Sequence, residues 1–161
     1  MNPPIYQQIL FDTARRILQE AAFAFIDQPA GGYKPGGAFM ACSVAFNGPF
    51  HGAMALAAGE SLAATLAANM LGVDESDPDA DQKKMDALGE ILNMICGNVL
   101  PEIAGARAEF AITAPEPLTE TQFENMLSRV SQRKLTTADI VVEGCDAHLA
   151  LIVEQEDPAT P

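Results

Sequence analysis

The chain has 161 residues, and its nine Lys or Arg against 22 Asp or Glu give a formal net charge of −13. So few basic residues argue against a nucleic acid or an anionic membrane as partner, since both are bound through Lys and Arg. The length and the 48% of apolar residues are typical of one globular domain, residues 1–161, and no apolar run is long enough to cross a membrane.

The spacing of apolar side chains predicts a mixed order of helices and strands. In chain order we expect a helix at 6–25, strands at 39–46 and 50–57, a helix at 61–70, a helix from about 81 to 98–100, a strand at 107–113, a helix at 119–128, and strands at 139–143 and 147–154. Three segments are predicted as irregular: the loop 28–37, the acidic loop 74–81 and a frayed tail at 156–161. This order predicts an α+β fold, with an antiparallel sheet covered by helices.

Local signals support several boundaries. Asn47-Gly48 is a hairpin turn signal between the first two strands. Gly72 stops the helix that precedes it. Thr119 and Gln122 have the spacing of a capping box at the start of a helix.

The segment 86–98 holds the most informative pattern in the chain. On a helix, one narrow apolar stripe is formed by Leu88, Ile91, Leu92, Ile95 and Val99. A second stripe, almost opposite, carries Asp86, Glu90, Asn93 and Gly97. We therefore expect Glu90 and Asn93 to be exposed neighbours on this helix. The apolar stripe on the opposite side would anchor the helix in the core. Pro101 either ends or kinks this helix, or opens a new turn.

Gly97 is the unexpected member of the polar stripe. Glycine inside a helix costs about 1 kcal/mol relative to alanine. A solvated face gains nothing from this loss, whereas a face that another protein approaches closely does, because Gly97 leaves no side chain in line with Asn93.

The pattern Asp86-x3-Glu90-x2-Asn93-x3-Gly97-Asn98 resembles the signature helix of the CheX/CheC/FliY chemotaxis phosphatases. The family pattern is an acidic residue or Ser, then Glu, Asn and Gly-Asn at these spacings, and every position is filled. CheC-type members carry two such motifs, and only one is found here, so the chain resembles the single-site CheX type.

The resemblance implies a phosphatase that acts on the aspartyl phosphate of a CheY-like response regulator. Asn93 would enter the regulator's active site and orient a water molecule, and Glu90 would pair with the regulator's active-site lysine. Gly97 and Asn98 would shape the helix for the partner, and Asp86 would lie at the edge of the contact. The divalent metal, magnesium, would belong to the regulator, so no cofactor of its own is expected. A homodimer with a sheet extended across two copies is also implied.

Two other interpretations remain open from the sequence. One is a docking protein like those of the flagellar switch, whose members lack the Glu and Asn pair. The other is a scaffold that binds a phosphorylated regulator without hydrolysing it. A metal enzyme is disfavoured, because the two histidines, His51 and His148, lack ligand spacing. The three separate cysteines and the absence of a signal peptide predict a reduced, cytoplasmic protein.

Overall fold

The computed structural model describes residues 3–27, 39–130 and 134–154. Its elements, in chain order, are α1 (Pro3–Ala22), β1 (Ile26–Asp27), β2 (Phe39–Asn47), β3 (His51–Gly59), α2 (Glu60–Leu71), α3 (Pro78–Gln82), α4 (Lys84–Ala104), β4 (Ala111–Ile112), β5 (Glu116–Leu118), α5 (Glu120–Ser128), β6 (Leu135–Val142) and β7 (Cys145–Glu154). The predicted loop at 28–37 and the predicted tail at 156–161 lie outside the described residues.

Within the described residues, seven strands form one antiparallel sheet in the order β1-β6-β7-β3-β2-β4, and β5 also pairs with β2. The predicted α+β class, with an antiparallel sheet covered by helices, is confirmed. Both predicted hairpins are present, β2–β3 and β6–β7. In the second, Glu143 and Gly144 have φ of 51° and 77°, the left-handed pair that a two-residue hairpin turn requires.

The sheet is covered on both faces, though unequally. On one face α1, α2 and α4 pack over the main apolar core, to which β3 contributes Met54, Leu56 and Ala58. On the other face α5 packs on a smaller cluster that includes Ala55 and Ala57 of the same strand. Because side chains of a strand alternate between faces, β3 is buried almost continuously and its α5 side consists of alanines.

The clearest differences from the sequence-based prediction lie in two segments. The acidic segment 74–81, predicted as a loop, contains the short helix α3, because the side chain of Asp77 accepts a hydrogen bond from the Asp79 N–H at 2.9 Å and Pro78 fits the first helical position. The strand predicted at 107–113 pairs only over Ala111–Ile112, and β5 forms where prolines were expected to end pairing. Pro117 is tolerated there because β5 lies at the edge of the sheet.

The capping box predicted before α5 is confirmed. The Thr119 hydroxyl accepts from the Gln122 N–H at 3.1 Å, and the Gln122 side chain accepts from the Thr119 N–H at 2.8 Å. Among the described helices, none is both long and apolar enough to cross a membrane.

Candidate functional site

Helix α4 separates its apolar side from its polar side as the sequence predicts. Four apolar side chains predicted to face the core are all 0% exposed: Leu88, Ile91, Leu92 and Ile95. On the opposite side Asp86, Glu90 and Gly97 are exposed, while Asn93 is half-buried rather than fully exposed. Among the described residues, the Asn93 side chain forms no hydrogen bond, so its carboxamide is available to a ligand.

The half-buried Asn93 borders a groove beside the helix, here called the proline groove. It has a volume of about 490 Å³ and is lined by Cys42, Met85, Asp86, Gly89, Glu90, Asn93, Pro115 and Pro117. Gly89 sets its width, since a Cβ at this position would lie 2.8 Å from the Cβ of Pro115. The segment that carries Pro115 can therefore pack against α4 only because residue 89 is glycine.

Gly89 and Pro115 were not among the residues singled out from the sequence. The signal for Gly89 was present, since it is a second glycine inside a helix and carries the same cost as Gly97. Its contact is 26 residues away along the chain, and no local pattern indicates which segment packs there.

Gly97 has no such internal role. A Cβ added there would meet only the Cδ1 atom of Ile112, at an ordinary 4.0 Å. Packing within the chain therefore does not require glycine at this exposed position. Of the alternatives left open at Pro101, an end near 98–100 is wrong, because α4 continues through Pro101 to Ala104. Because Pro101 has no N–H, it cannot donate the usual helical hydrogen bond to the Gly97 carbonyl.

Asn98 is turned away from the polar stripe, toward α1. Its Nδ2 donates to the Met94 carbonyl at 2.7 Å, and its Oδ1 accepts from Arg16 Nη2 at 3.1 Å. Arg16 also lies 3.8 Å from Glu20 on the same helix. Asn98 thus connects the signature helix to α1 and holds the orientation of its polar side.

The first turn of α4 is held by Lys84, whose side chain is 12% exposed. Its Nζ lies 2.8 Å from Asp81 and 2.5 Å from Glu60, and the hydrogen bonds to these carboxylates raise the pKa of Lys84. Asp86 is held loosely by Lys83 at 3.5 Å. No comparable cation is paired with Glu90 among the described residues, so its carboxylate faces outward without a counter-charge.

Cysteine and metal chemistry do not fit this region. Cys96 lies in α4 but is 0% exposed, and burial raises the pKa of its thiol to about 12, so the reactive thiolate is disfavoured at neutral pH. Burial likewise raises the pKa of Cys42 to about 12. Within residues 3–27, 39–130 and 134–154, no group of three or more His, Cys, Asp or Glu side chains could hold a metal ion.

The open side of α4 presents a carboxylate and a carboxamide on a fixed support. Glu90 and Asn93 project from one rigid helix, which the core fixes along its whole apolar side. A carboxylate and a carboxamide one turn apart can pair with a cation and orient a water molecule in a partner's cleft.

A family model described as chemotaxis phosphatase CheX matches residues 40–137, more than half of the chain. The search of curated proteins found no match. Among solved structures, CheX from Desulfovibrio desulfuricans has a TM-score of 0.67 at 16% identity, over 92% of this chain and 99% of that chain. CheX from Vibrio vulnificus has a TM-score of 0.63 at 17% identity, over 96% and 99%. The CheX–CheY–BeF3–Mg²⁺ complex from Borrelia burgdorferi has a TM-score of 0.65 at 16% identity, over 93% and 98%. At these identities the structural matches show a shared fold.

Proposed function

The chain belongs to the chemotaxis phosphatase CheX family, and from this membership we propose that it hydrolyses the aspartyl phosphate of a CheY-like response regulator. The observation that carries the proposal is the position of Glu90 and Asn93 on the open side of α4, above a fully buried apolar side. The structure of a CheX–CheY complex from Borrelia burgdorferi supports the choice of partner.

In the proposed reaction, a water molecule attacks the phosphorus of the regulator's acyl phosphate. The bond between phosphorus and the aspartate oxygen breaks, inorganic phosphate leaves, and the regulator regains a free carboxylate. Such a transfer requires positioning and neutralisation of charge more than covalent help from protein. The carboxamide of Asn93 accepts a hydrogen bond from the water and holds it in line with the bond that breaks.

Glu90 supplies the docking charge. Its exposed carboxylate, unpaired within the described part of the chain, binds the active-site lysine of the regulator. Asp86 lies one turn earlier, at the edge of the contact. Gly97 lets the partner approach the helix because it has no side chain, and no contact among the described residues requires a glycine there. Asn98 acts indirectly, as a positioning residue held by Arg16.

The metal in this proposal belongs to the regulator. Magnesium bound beside the acyl phosphate would neutralise the charge on the phosphoryl oxygens. The Borrelia burgdorferi complex contains Mg²⁺ together with CheY and the phosphate mimic BeF3. For this chain we propose no cofactor of its own and a location in the cytoplasm with its regulator.

The decisive experiment follows the decay of a ³²P-labelled response regulator of the same cell with and without this protein. We expect catalytic amounts of the protein to shorten the lifetime of the phosphorylated regulator, and chelation of Mg²⁺ to remove the effect. Binding without faster decay would instead indicate a non-catalytic, flagellar-switch-like docking protein or a scaffold.

We further propose that the single CheX-like domain forms a homodimer in which two sheets join at an edge. Among the described residues, the outer side of β6 is paired only at Val141 and Val142, with the short strand β1. An incompletely paired edge favours pairing with a second strand. Light scattering at micromolar concentration should give twice the chain mass, and a monomer mass would contradict this assembly.

A further inference from the structure

A second groove lies on the other side of α4 from the proline groove. It runs between α1, α2 and α4 and has a volume of about 440 Å³. Its apolar lining includes Ala21, Ala67, Met70, Leu71 and Met94, and we call it the methionine groove. Asp86 and Glu90 also line it, so it is continuous with the polar side of the signature helix.

Part of the apolar lining of this groove is accessible. Leu71, the last residue of α2, is 47% exposed, and Met70 and Met94 are half-buried. Gly72 follows in a left-handed conformation, with φ of 70°, and ends the helix at this rim. A single exposed apolar residue is ordinary on a protein surface, but Leu71 lines one groove together with Met70 and Met94, and apolar side chains grouped in this way are typical of a surface that a partner covers.

The size of a protein contact explains why the groove is needed. A stable complex buries about 800 Å² on each partner. The polar stripe of α4 has four residues, one of which is glycine, and cannot supply that area alone. A partner whose cleft receives Asn93 must place the walls of the cleft over the two flanks of α4. On the flank with Met70 and Met94, flexible thioether side chains can adjust to an incoming side chain.

We propose that the methionine groove receives an apolar side chain from the rim of the regulator's phosphorylation cleft. This proposal rests on the proposed function and adds a determinant of which regulator is bound. The groove has room for a leucine, methionine or phenylalanine side chain. Lys83 and Asp86 at its mouth place opposite charges 3.5 Å apart beside the apolar floor. A regulator with a polar residue at this rim would leave Leu71 and the methionines uncovered and would bind more weakly.

The test changes residues that line the methionine groove and leaves Glu90 and Asn93 as they are. Leu71→Ser removes the exposed apolar contact, and Met94→Gln keeps the length of the side chain but makes it polar. Ile5→Ser is the matched control, because Ile5 is 53% exposed near the start of α1, about 24 Å along that helix from Ala21. The probe is each purified receiver domain of the same cell, activated with beryllium fluoride and Mg²⁺, with dissociation constants measured by calorimetry.

We expect Leu71→Ser and Met94→Gln each to raise the dissociation constant roughly fivefold or more, the effect of losing a half-exposed apolar contact. Ile5→Ser should leave it unchanged. With phosphorylated regulator, KM should rise while kcat stays the same. Thermal melts identify any variant that has lost its fold. If one of the two groove variants is unfolded, the dissociation constant of the other decides whether the groove contributes to binding.

The outcomes separate this proposal from the function it rests on. Hydrolysis by the parent protein with unchanged dissociation constants and KM in both variants would overturn the groove and leave the function standing. Binding without hydrolysis would overturn the function, and the same comparison of dissociation constants would still decide the groove. Absence of binding to any activated regulator would overturn both.

Discussion

Asn93→Ala should separate catalysis from folding. The Asn93 side chain is half-buried and forms no hydrogen bond within the described residues. Its removal therefore leaves no buried partner unsatisfied, and alanine is the better helix former by a few tenths of a kcal/mol. We expect the free energy of unfolding to change by less than about 0.5 kcal/mol.

The catalytic effect of the same change should be much larger. Loss of a group that orients the attacking water typically lowers a rate by roughly 10²-fold, or about 3 kcal/mol of transition-state stabilisation. Because docking would rest mainly on Glu90, the affinity of Asn93→Ala for an activated regulator should remain near that of the parent. Glu90→Ala should differ by losing affinity as well as rate, since it removes a charge that pairs across the interface.

The assay combines thermal melts, decay of a phosphorylated regulator and binding of its beryllium fluoride form. Asn125→Ala and Glu124→Ala are matched controls, because both residues are exposed on α5, on the other face of the sheet. If Asn93→Ala unfolds the protein, the residue is structural. If it folds and hydrolyses the acyl phosphate at the parent rate, α4 is not the active site.

The other predictions concern residues that flank this pair. Gly97→Ala should raise thermal stability, by up to about 1 kcal/mol, while lowering phosphatase activity, because its Cβ finds space inside the chain but obstructs the partner. Gly89→Ala should lower the melting temperature, since its Cβ would lie 2.8 Å from Pro115; overpacking of this kind costs about 1–3 kcal/mol. Arg16→Ala should destabilise by at most about 1 kcal/mol, seen as a lower melting temperature, because it removes two exposed contacts, the hydrogen bond to Asn98 and the ion pair with Glu20.

The sequence predicted elements whose signals are local. The two faces of α4, both hairpins and the capping box at Thr119 each depend on residues within a few positions of one another, and each is present in the structure. The polar stripe of α4 was found for the same reason, since helical spacing alone brings Glu90 and Asn93 to one side.

Features that depend on distant contacts were not predicted. β5 forms despite Pro117 because β2 offers an edge on which a proline is tolerated. The proline groove exists because Pro115 packs against Gly89, and the hydrogen bond between Arg16 and Asn98 spans 82 residues. No local pattern specifies any of these pairs, so the groove beside Asn93 became visible only in the structure.

The composition of α4 on its polar side is explained by the partner better than by folding. Gly97 costs this helix about 1 kcal/mol, and Pro101 removes a hydrogen bond that an internal residue would normally make. At Gly97, packing against the described residues does not require the loss, because a Cβ there would find ordinary contact distances. Gly89, in the same helix, is different because Pro115 fills the space beside it. Gly89 thus allows Pro115 to pack beside the proline groove, whereas Gly97 leaves space on the exposed side of the helix. The cost of Gly89 is explained by packing within the chain, whereas the cost of the exposed Gly97 fits a surface that another protein would approach closely.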